Sequence, residues 1–172
     1  MPETSLITIT DVRTYRSVDS KFDSTRFAAF LGEVQRINLR GLLGDALYLD
    51  FMNDARTSGK YADLLTGKSY TYSSETIQYY GLKPVLSYWW LAIAAREGDL
   101  FHSQVGAINL VNNPAQNFEY AKQRDQIALN YMQTAQQYAN DVIKFLNQNS
   151  TTYPLWKSAS EQNKNQFTTF KI

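Results

Sequence analysis

Residues 84–95 read PVLSYWWLAIAA, and this run decides the fold because its apolar side chains lie on nearly every side of a helix. Pro84 suits the first turn of a helix, where a backbone N–H has no intrahelical partner. Gly98 follows the apolar run and is a natural stop. We therefore predict a central core helix over residues 84–98, which the rest of the chain must bury.

The preceding residues predict a series of shorter helices. Thr8 and Asp11 have the spacing of a capping box at the start of a helix over residues 7–17. Asp23 or Ser24 is placed to cap the next helix. Its buried face repeats at intervals of three and four, at Phe27, Phe30, Leu31, Val34 and Ile37.

Two glycines interrupt the pattern that follows. Gly41 and Gly44 are expected to bend or reset the chain before a further helix over residues 42–54. Residues 61–65 add one more helical turn. From Lys68 to Tyr80 the period changes to two and β-formers dominate, which predicts a β-hairpin around Ser73-Ser74-Glu75.

The longest predicted helix runs from about Phe118 to Asn147, after the helix-starting pair Asn113-Pro114. It is longer than burial in a domain of this size requires. Its opposite face is rich in Gln and Asn. The seam predicted to face the core consists of Ala121, Ala128, Tyr131, Met132, Ala135, Tyr138, Ala139, Val142, Phe145 and Leu146.

These elements predict a mainly α protein: a helical bundle with one long C-terminal helix and a small β-hairpin insertion. The 172 residues suit one domain. We assign residues 1–156 to the bundle, with the hairpin near 68–80, and residues 157–172 to an extended polar tail that carries a few apolar side chains.

Composition excludes several classes of function. The chain has no cysteine and one histidine, which rules out thiol nucleophiles, disulfides and zinc sites built from several His or Cys ligands. The net charge of +1 is unlike that of domains that bind nucleic acid through its phosphates. No apolar run is long enough to span a bilayer, and no signal peptide opens the chain. We expect a soluble protein made in a cytoplasm, without cofactor or metal.

Little in the sequence points to catalysis. His102, the one imidazole, follows the central helix and suits a helix-end or rim position better than a catalytic one. Asp45, Asp50 and Asp54 lie on or beside one helix and could in principle hold Mg²⁺. A solvated helix face, helped by neighbouring cations, is the interpretation we prefer for them.

What remains is surface chemistry suited to contact with other proteins. Tyrosine is frequent, and uncharged polar groups are cheaper to bury than charges. The tyrosines could instead pack across the hairpin, and the aromatic stop at residues 153–156 could fold back on the bundle. The candidate protein–protein contacts are Tyr70, Tyr72, Tyr153, Trp156, Phe167 and Phe170.

The order of these features resembles the small head–tail connector (adaptor, or ring) proteins of tailed bacteriophages, and most closely those of phages of Bacteroidetes, including the crAss-like group. The likeness covers residues 6–157. It rests on the entry segment ITITDV at 7–12, LLGDALY at 42–48, GLK at 81–83, YWW at 88–90, the long helix and YPLW at 153–156.

The resemblance implies a helical bundle that assembles as a ring, commonly of twelve copies, beneath the portal. Such a ring joins the capsid to the tail and continues the DNA channel, so its partners are copies of itself, the portal protein and other neck or tail proteins. Double-stranded DNA passes through without sequence-specific binding, and the protein resides in the virion. The resemblance implies no catalytic, metal or cofactor site and no membrane.

Two alternatives remain open at this stage. One is a helical metal-dependent phage enzyme that uses Asp45, Asp50 and Asp54. The other is a regulator that binds a host protein through a groove beside Trp89 and Trp90.

Overall fold

A computed structural model describes residues 4–18, 22–54, 59–97 and 114–157, and the side chains of its last helix from Lys122 onward. Over these residues the protein is mainly helical with one small β-hairpin and a long C-terminal helix, as the sequence predicts. The helices and strands are α1 (Ile9–Tyr15), α2 (Ser24–Glu33), a π-helical segment (Val34–Leu39), α3 (Arg40–Leu43), α4 (Asp45–Asp54), α5 (Ala62–Thr66), β1 (Lys68–Tyr72), β2 (Glu75–Tyr79), α6 (Leu82–Arg96) and α7 (Pro114–Gln148).

Helix α6 is the centre of the fold and packs along α7. Of its fifteen residues, all but Lys83, Ile93 and Arg96 are buried. Trp90 is fully enclosed, with the rings of Phe22 and Phe27 at 5.0 and 5.1 Å, and its indole N–H donates to the carbonyl of Phe27 at 3.2 Å. The prediction of a central core helix is confirmed.

Hydrogen bonds hold the N-terminal segment against the π-helical segment and α6. The Thr8 side chain accepts from the Asp11 backbone N–H, and the Asp11 carboxylate accepts from Thr8, which is the predicted capping box. The carboxylate also accepts from the Lys83 ammonium at 2.8 Å, which ties α1 to α6. Gln35 is buried, and its side-chain amide accepts from the backbone N–H of Leu6 and donates to the carbonyl of Thr4.

Two expectations about the middle of the chain are wrong. Gly41 does not interrupt the helix, because α2, the π-helical segment and α3 run on from Ser24 to Leu43. Only Gly44, with a φ of 75°, ends it. Ile37, predicted to be buried, is 64% exposed, since the wider π turn shifts the register of the side chains.

Helix α7 has 35 residues and is about 52 Å long, beginning and ending slightly outside the predicted bounds. Most of the described seam is buried or half-buried against the core, but Met132 is exposed, contrary to expectation. No helix among the described residues is both long and apolar enough to cross a bilayer.

Candidate interaction surfaces

The base of the hairpin is held by close backbone packing. Gly67 precedes β1 and Gly81 follows β2, and both have positive φ values, 94° and 83°. A Cβ on Gly67 would lie 2.4 Å from the carbonyl oxygen of Tyr79, and one on Gly81 would lie 2.4 Å from that of Leu65. Only glycine therefore allows the chain to enter and leave the hairpin at this spacing.

The strands are antiparallel and are joined by Ser73 and Ser74. Both serines have positive φ, as a two-residue turn of the primed type requires. Tyr70 pairs with Ile77, and Tyr72 pairs with Glu75. Because side chains alternate along a strand, one face of the hairpin carries all four of these side chains together with Tyr79.

This apolar face lies on an aromatic cluster at the C-terminal end of α7. The Tyr79 ring stacks on Phe145 with 4.0 Å between centroids, and the Tyr70 ring meets Phe145 edge-on at 5.6 Å. Tyr153 lies beside Phe145 at 5.7 Å and stacks on Tyr61 at 5.8 Å. Burial raises the pKa of Tyr79 well above its usual value and that of Tyr153 to about 12.

The aromatic cluster covers only the base of the hairpin, and the end of the hairpin near the turn is exposed. Tyr79 is 2% exposed, Ile77 36% and Tyr72 48%. Exposure therefore rises steadily from the base toward the turn, and the apolar face extends past the bundle. We call the exposed part, formed by Tyr72, Glu75 and Ile77, the hairpin tip.

The six predicted contact residues occupy different environments. Tyr70 is half-buried on Phe145, and Tyr72 is exposed. Tyr153 and Trp156 are buried within the chain. The Trp156 indole N–H donates to Asn147 Oδ1 at 2.8 Å, so the segment after α7 folds back on its own helix. Phe167 and Phe170, with His102, lie outside the described residues.

The outer face of α7 carries no charge over residues 126–140, a length of about 22 Å. Leu129 and Met132 are exposed there. Glutamine and asparagine surround them, and two amide pairs, Gln126–Asn130 and Gln136–Asn140, hydrogen-bond along the helix. We call this surface the amide face.

A cleft of about 620 Å³ lies at the junction of the π-helical segment, α3 and α4. Its lining includes the apolar residues Ile37, Gly41, Ala46 and Leu155 and the charged residues Arg36, Arg40, Asp45 and Lys157. The Arg40 guanidinium donates to Asp45 at 2.7 Å. We call this the basic cleft, since its lining has three cations and one carboxylate. Sequence reasoning missed it, because Ile37 was assigned to the core.

Each of the three aspartates of the alternative metal site has hydrogen-bond partners within the chain. Asp45 pairs with Arg40. Asp50 accepts from the Tyr61 hydroxyl and the Lys60 ammonium, and these hydrogen bonds lower its pKa. Asp54, expected on a solvated face, is instead buried, and it accepts from the backbone N–H of Tyr61 at 2.9 Å. The described residues contain no group of three or more side chains able to hold a metal ion.

The two tryptophans that were predicted to flank a groove, Trp89 and Trp90, are covered by described residues. Both indoles are buried, and the rings of Phe22, Phe27 and Phe30 surround Trp90. Neither side chain is therefore available to a host protein in this arrangement.

Comparison with known proteins gives one family. The model of a family of unknown function, DUF6712, matches residues 39–166, about three quarters of the chain. The match takes in the hairpin, α6 and α7, and the residues of the basic cleft from Arg40 onward. No curated protein and no solved structure matches the chain.

Proposed function

We propose that this chain, which belongs to the DUF6712 family of unknown function, is a structural virion protein of a tailed bacteriophage. In this proposal it forms a head–tail connector ring that docks on the portal, joins the capsid to the tail and continues the DNA channel. Its partners are further copies of itself, the portal protein and other neck or tail proteins.

The amide face is the observation that carries the proposal. A helix face that meets only water is normally rich in charged residues. Between Gln126 and Asn140 the exposed side chains of α7 are instead amides, Leu129 and Met132. Interface cores are depleted of charge and enriched in methionine, because amides and thioethers lose less hydration free energy on burial than ions do. The face therefore suits a helix covered by another protein.

The length of α7 supports the same proposal. At about 52 Å it is more than twice as long as α6, whose 15 residues span about 22 Å. Part of α7 therefore extends beyond the central helix. A ring subunit needs surfaces of this kind on two sides, because each copy contacts two neighbours through different patches.

The proposal that the protein belongs to a phage virion comes from the resemblance in the order of its motifs. The order of the entry segment, the YWW helix, the long helix and the YPLW stop is the feature in which this chain resembles connector proteins. The near-neutral charge is compatible with a channel through which DNA must move, since a strongly basic lumen would retain it.

The experiment is assembly with the portal protein of the same phage. We expect rings by negative-stain imaging and native mass spectrometry, alone or on the portal. Met132→Lys with Gln136→Lys should prevent assembly, because burying two ammonium groups is costly. Gln148→Lys with Thr152→Lys adds the same charge outside the amide face and should assemble normally. A protein that remains monomeric with the portal, or equal behaviour of the two double variants, would contradict the proposal.

A further inference from the structure

We infer that the amide face of one copy packs against a cluster of tyrosines on the next copy. This inference rests on the proposed self-assembly and names the second surface that a ring subunit needs. It is carried by the chemistry of two uncharged surfaces of the same chain and by their positions on α7.

Five tyrosines form one continuous cluster where α6 meets α1 and α7. The Tyr88 ring stacks on that of Tyr138, with 5.8 Å between centroids. It also contacts the rings of Tyr131 at 6.1 Å and Tyr15 at 5.9 Å. Tyr80, the residue after β2, meets Tyr138 edge-on at 6.4 Å. We call these five side chains the tyrosine patch.

The hydroxyl groups of the tyrosine patch are open to solvent. None of them takes part in a hydrogen bond within the part of the chain that the structure describes. In that part, the buried side-chain nitrogen and oxygen atoms that lack a partner belong to Ser87 and Arg124, so the patch hydroxyls are not buried. Tyrosines at interfaces combine a packed ring, which gives contact area, with a hydroxyl that bonds the partner.

The patch is already held in shape by its own contacts. Because the rings pack on one another, few side-chain rotamers remain to be fixed when a partner covers them. The guanidinium of Arg16 lies 5.5 Å from the centre of the Tyr88 ring and donates to the Tyr15 carbonyl at 2.8 Å. Covering the patch therefore leaves this cation with partners in its own chain.

The amide face has the groups that bind such a patch. The side chains of Gln133 and Gln137 are exposed and form no hydrogen bond among the described residues, so each offers donors and an acceptor to the hydroxyls. Leu129 and Met132 supply apolar atoms for the rings, and a thioether contacts aromatic rings favourably. A charged partner surface would lose its hydration against these uncharged groups, whereas the amide face of a second copy does not.

The two surfaces lie on nearly opposite sides of α7 and at the same level along it. Gln133 follows Tyr131 by two residues, and Asn140 follows Tyr138 by two. Two residues turn a helix by about 200°. A contact between unlike patches placed in this way is heterologous, so repeating it adds copies side by side around an axis, as a closed ring requires.

The test uses the absence of cysteine from the natural chain. A variant with Tyr80→Cys in the tyrosine patch and Gln133→Cys on the amide face should form a covalent ladder of oligomers under mild oxidation. A control with Tyr80→Cys and Ser74→Cys should not, because Ser74 lies at the turn of the hairpin. If Gln133→Cys alone forms covalent dimers as readily as the double variant forms its ladder, the amide face meets itself and the inference is wrong.

A second measurement removes hydroxyl groups and keeps the rings. Tyr80→Phe with Tyr138→Phe should weaken self-association, measured by sedimentation, about tenfold. Thermal unfolding should not change, since these hydroxyls have no partner in the described part of the chain. Tyr79→Phe is the matched control: its hydroxyl donates to the Leu64 carbonyl, so it should lower thermal stability and leave association unchanged.

The outcomes separate this inference from the proposed function. Rings that form on the portal without a ladder from the Tyr80→Cys and Gln133→Cys variant, and with the double Phe variant unaffected, overturn the inference and leave the connector proposal standing. A ladder that forms without any portal binding supports the inference and counts against the connector role. A protein that stays monomeric at about 1 mM and gives no cross-link overturns the inference.

Discussion

The ring of Tyr79 lies parallel to the ring of Phe145, with 4.0 Å between centroids and 10° between planes. This contact joins the hairpin to the long helix, and the Tyr79 hydroxyl donates to the carbonyl of Leu64 at 2.9 Å on the other side. One residue of β2 thus fixes the hairpin against α7 and α5 together. A two-stranded hairpin has only marginal stability by itself, so the orientation of its tip depends on the contacts of Tyr79.

The first prediction concerns that anchor. Phe145→Ala removes the ring on which Tyr70, Tyr79 and Tyr153 pack, and should lower the free energy of unfolding by about 3–5 kcal/mol. Urea unfolding followed by circular dichroism measures it. Leu129→Ala, on the exposed face of the same helix, is the control and should change the value by less than about 0.5 kcal/mol. Equal losses would show that the cluster is not the anchor.

The second prediction concerns the hairpin base. Gly67→Ala places a methyl group 2.4 Å from the Tyr79 carbonyl oxygen, at a residue whose φ is 94°. It should therefore lower the free energy of unfolding by at least about 2 kcal/mol. Gly41→Ala makes the same chemical change in a helix with open space around it and should instead stabilise the fold by about 0.5–1 kcal/mol. Thermal unfolding compares the two. A tolerated Gly67→Ala would mean that the base is looser than described.

The third prediction concerns alkaline pH. The pKa of Tyr79 and that of Tyr153 are raised by burial, so the folded state holds their protons more tightly than the unfolded chain does. Their contribution to stability is therefore complete below about pH 10 and is lost as the pH rises through the folded-state values, at up to about 1.4 kcal/mol per pH unit for each group.

Urea unfolding between pH 9 and about pH 12 should show this decline. Tyr153→Phe should make the decline shallower, because it removes one of the two hydroxyls whose pKa is raised by burial. A decline that is identical in the parent protein and in Tyr153→Phe would exclude Tyr153 as one of its sources.

The fourth prediction concerns the ion pair between α1 and α6. Burial alone would raise the pKa of Asp11, but the hydrogen bonds from Lys83 and Thr8 outweigh it and lower the pKa. The stabilisation is therefore present above about pH 4 and is lost as the pH falls through the lowered value.

Asp11→Asn removes the negative charge and should lower the free energy of unfolding by about 1 kcal/mol at pH 7. At pH 3 the free energies of unfolding of the variant and the parent protein should differ by less. Asp23→Asn is the matched control, since asparagine is as good an N-cap as aspartate and Asp23 caps α2 by accepting from the Arg26 backbone N–H. A cost for Asp11→Asn that does not change with pH would contradict the assignment.

The positions of several elements could be predicted because their signals are local. The Thr8–Asp11 capping box, the Asp23 cap and the hairpin each depend on residues within a few positions of one another. The central helix could be predicted because an apolar run from Val85 to Ala95 has no stable place except the core.

The candidate surfaces were only partly predictable. Tyr72 was expected at a contact surface and is exposed on the hairpin tip. Tyr153 and Trp156 were named for the same reason but are buried, because an aromatic stop after a helix can fold back or project outward with the same sequence. The basic cleft joins the π-helical segment to Leu155 and Lys157, residues more than a hundred positions away, which no local pattern connects.

The sequence by itself determined the helical class, the caps, the hairpin and the identity of the core helix, since propensity, periodicity and capping act over a few residues. The tertiary structure alone decided that Ile37 and Met132 face outward, that Asp54 is buried under Tyr61, and that Tyr79 meets Phe145. The physical reason is that burial is a property of what packs against a residue, and those neighbours come from distant parts of the chain.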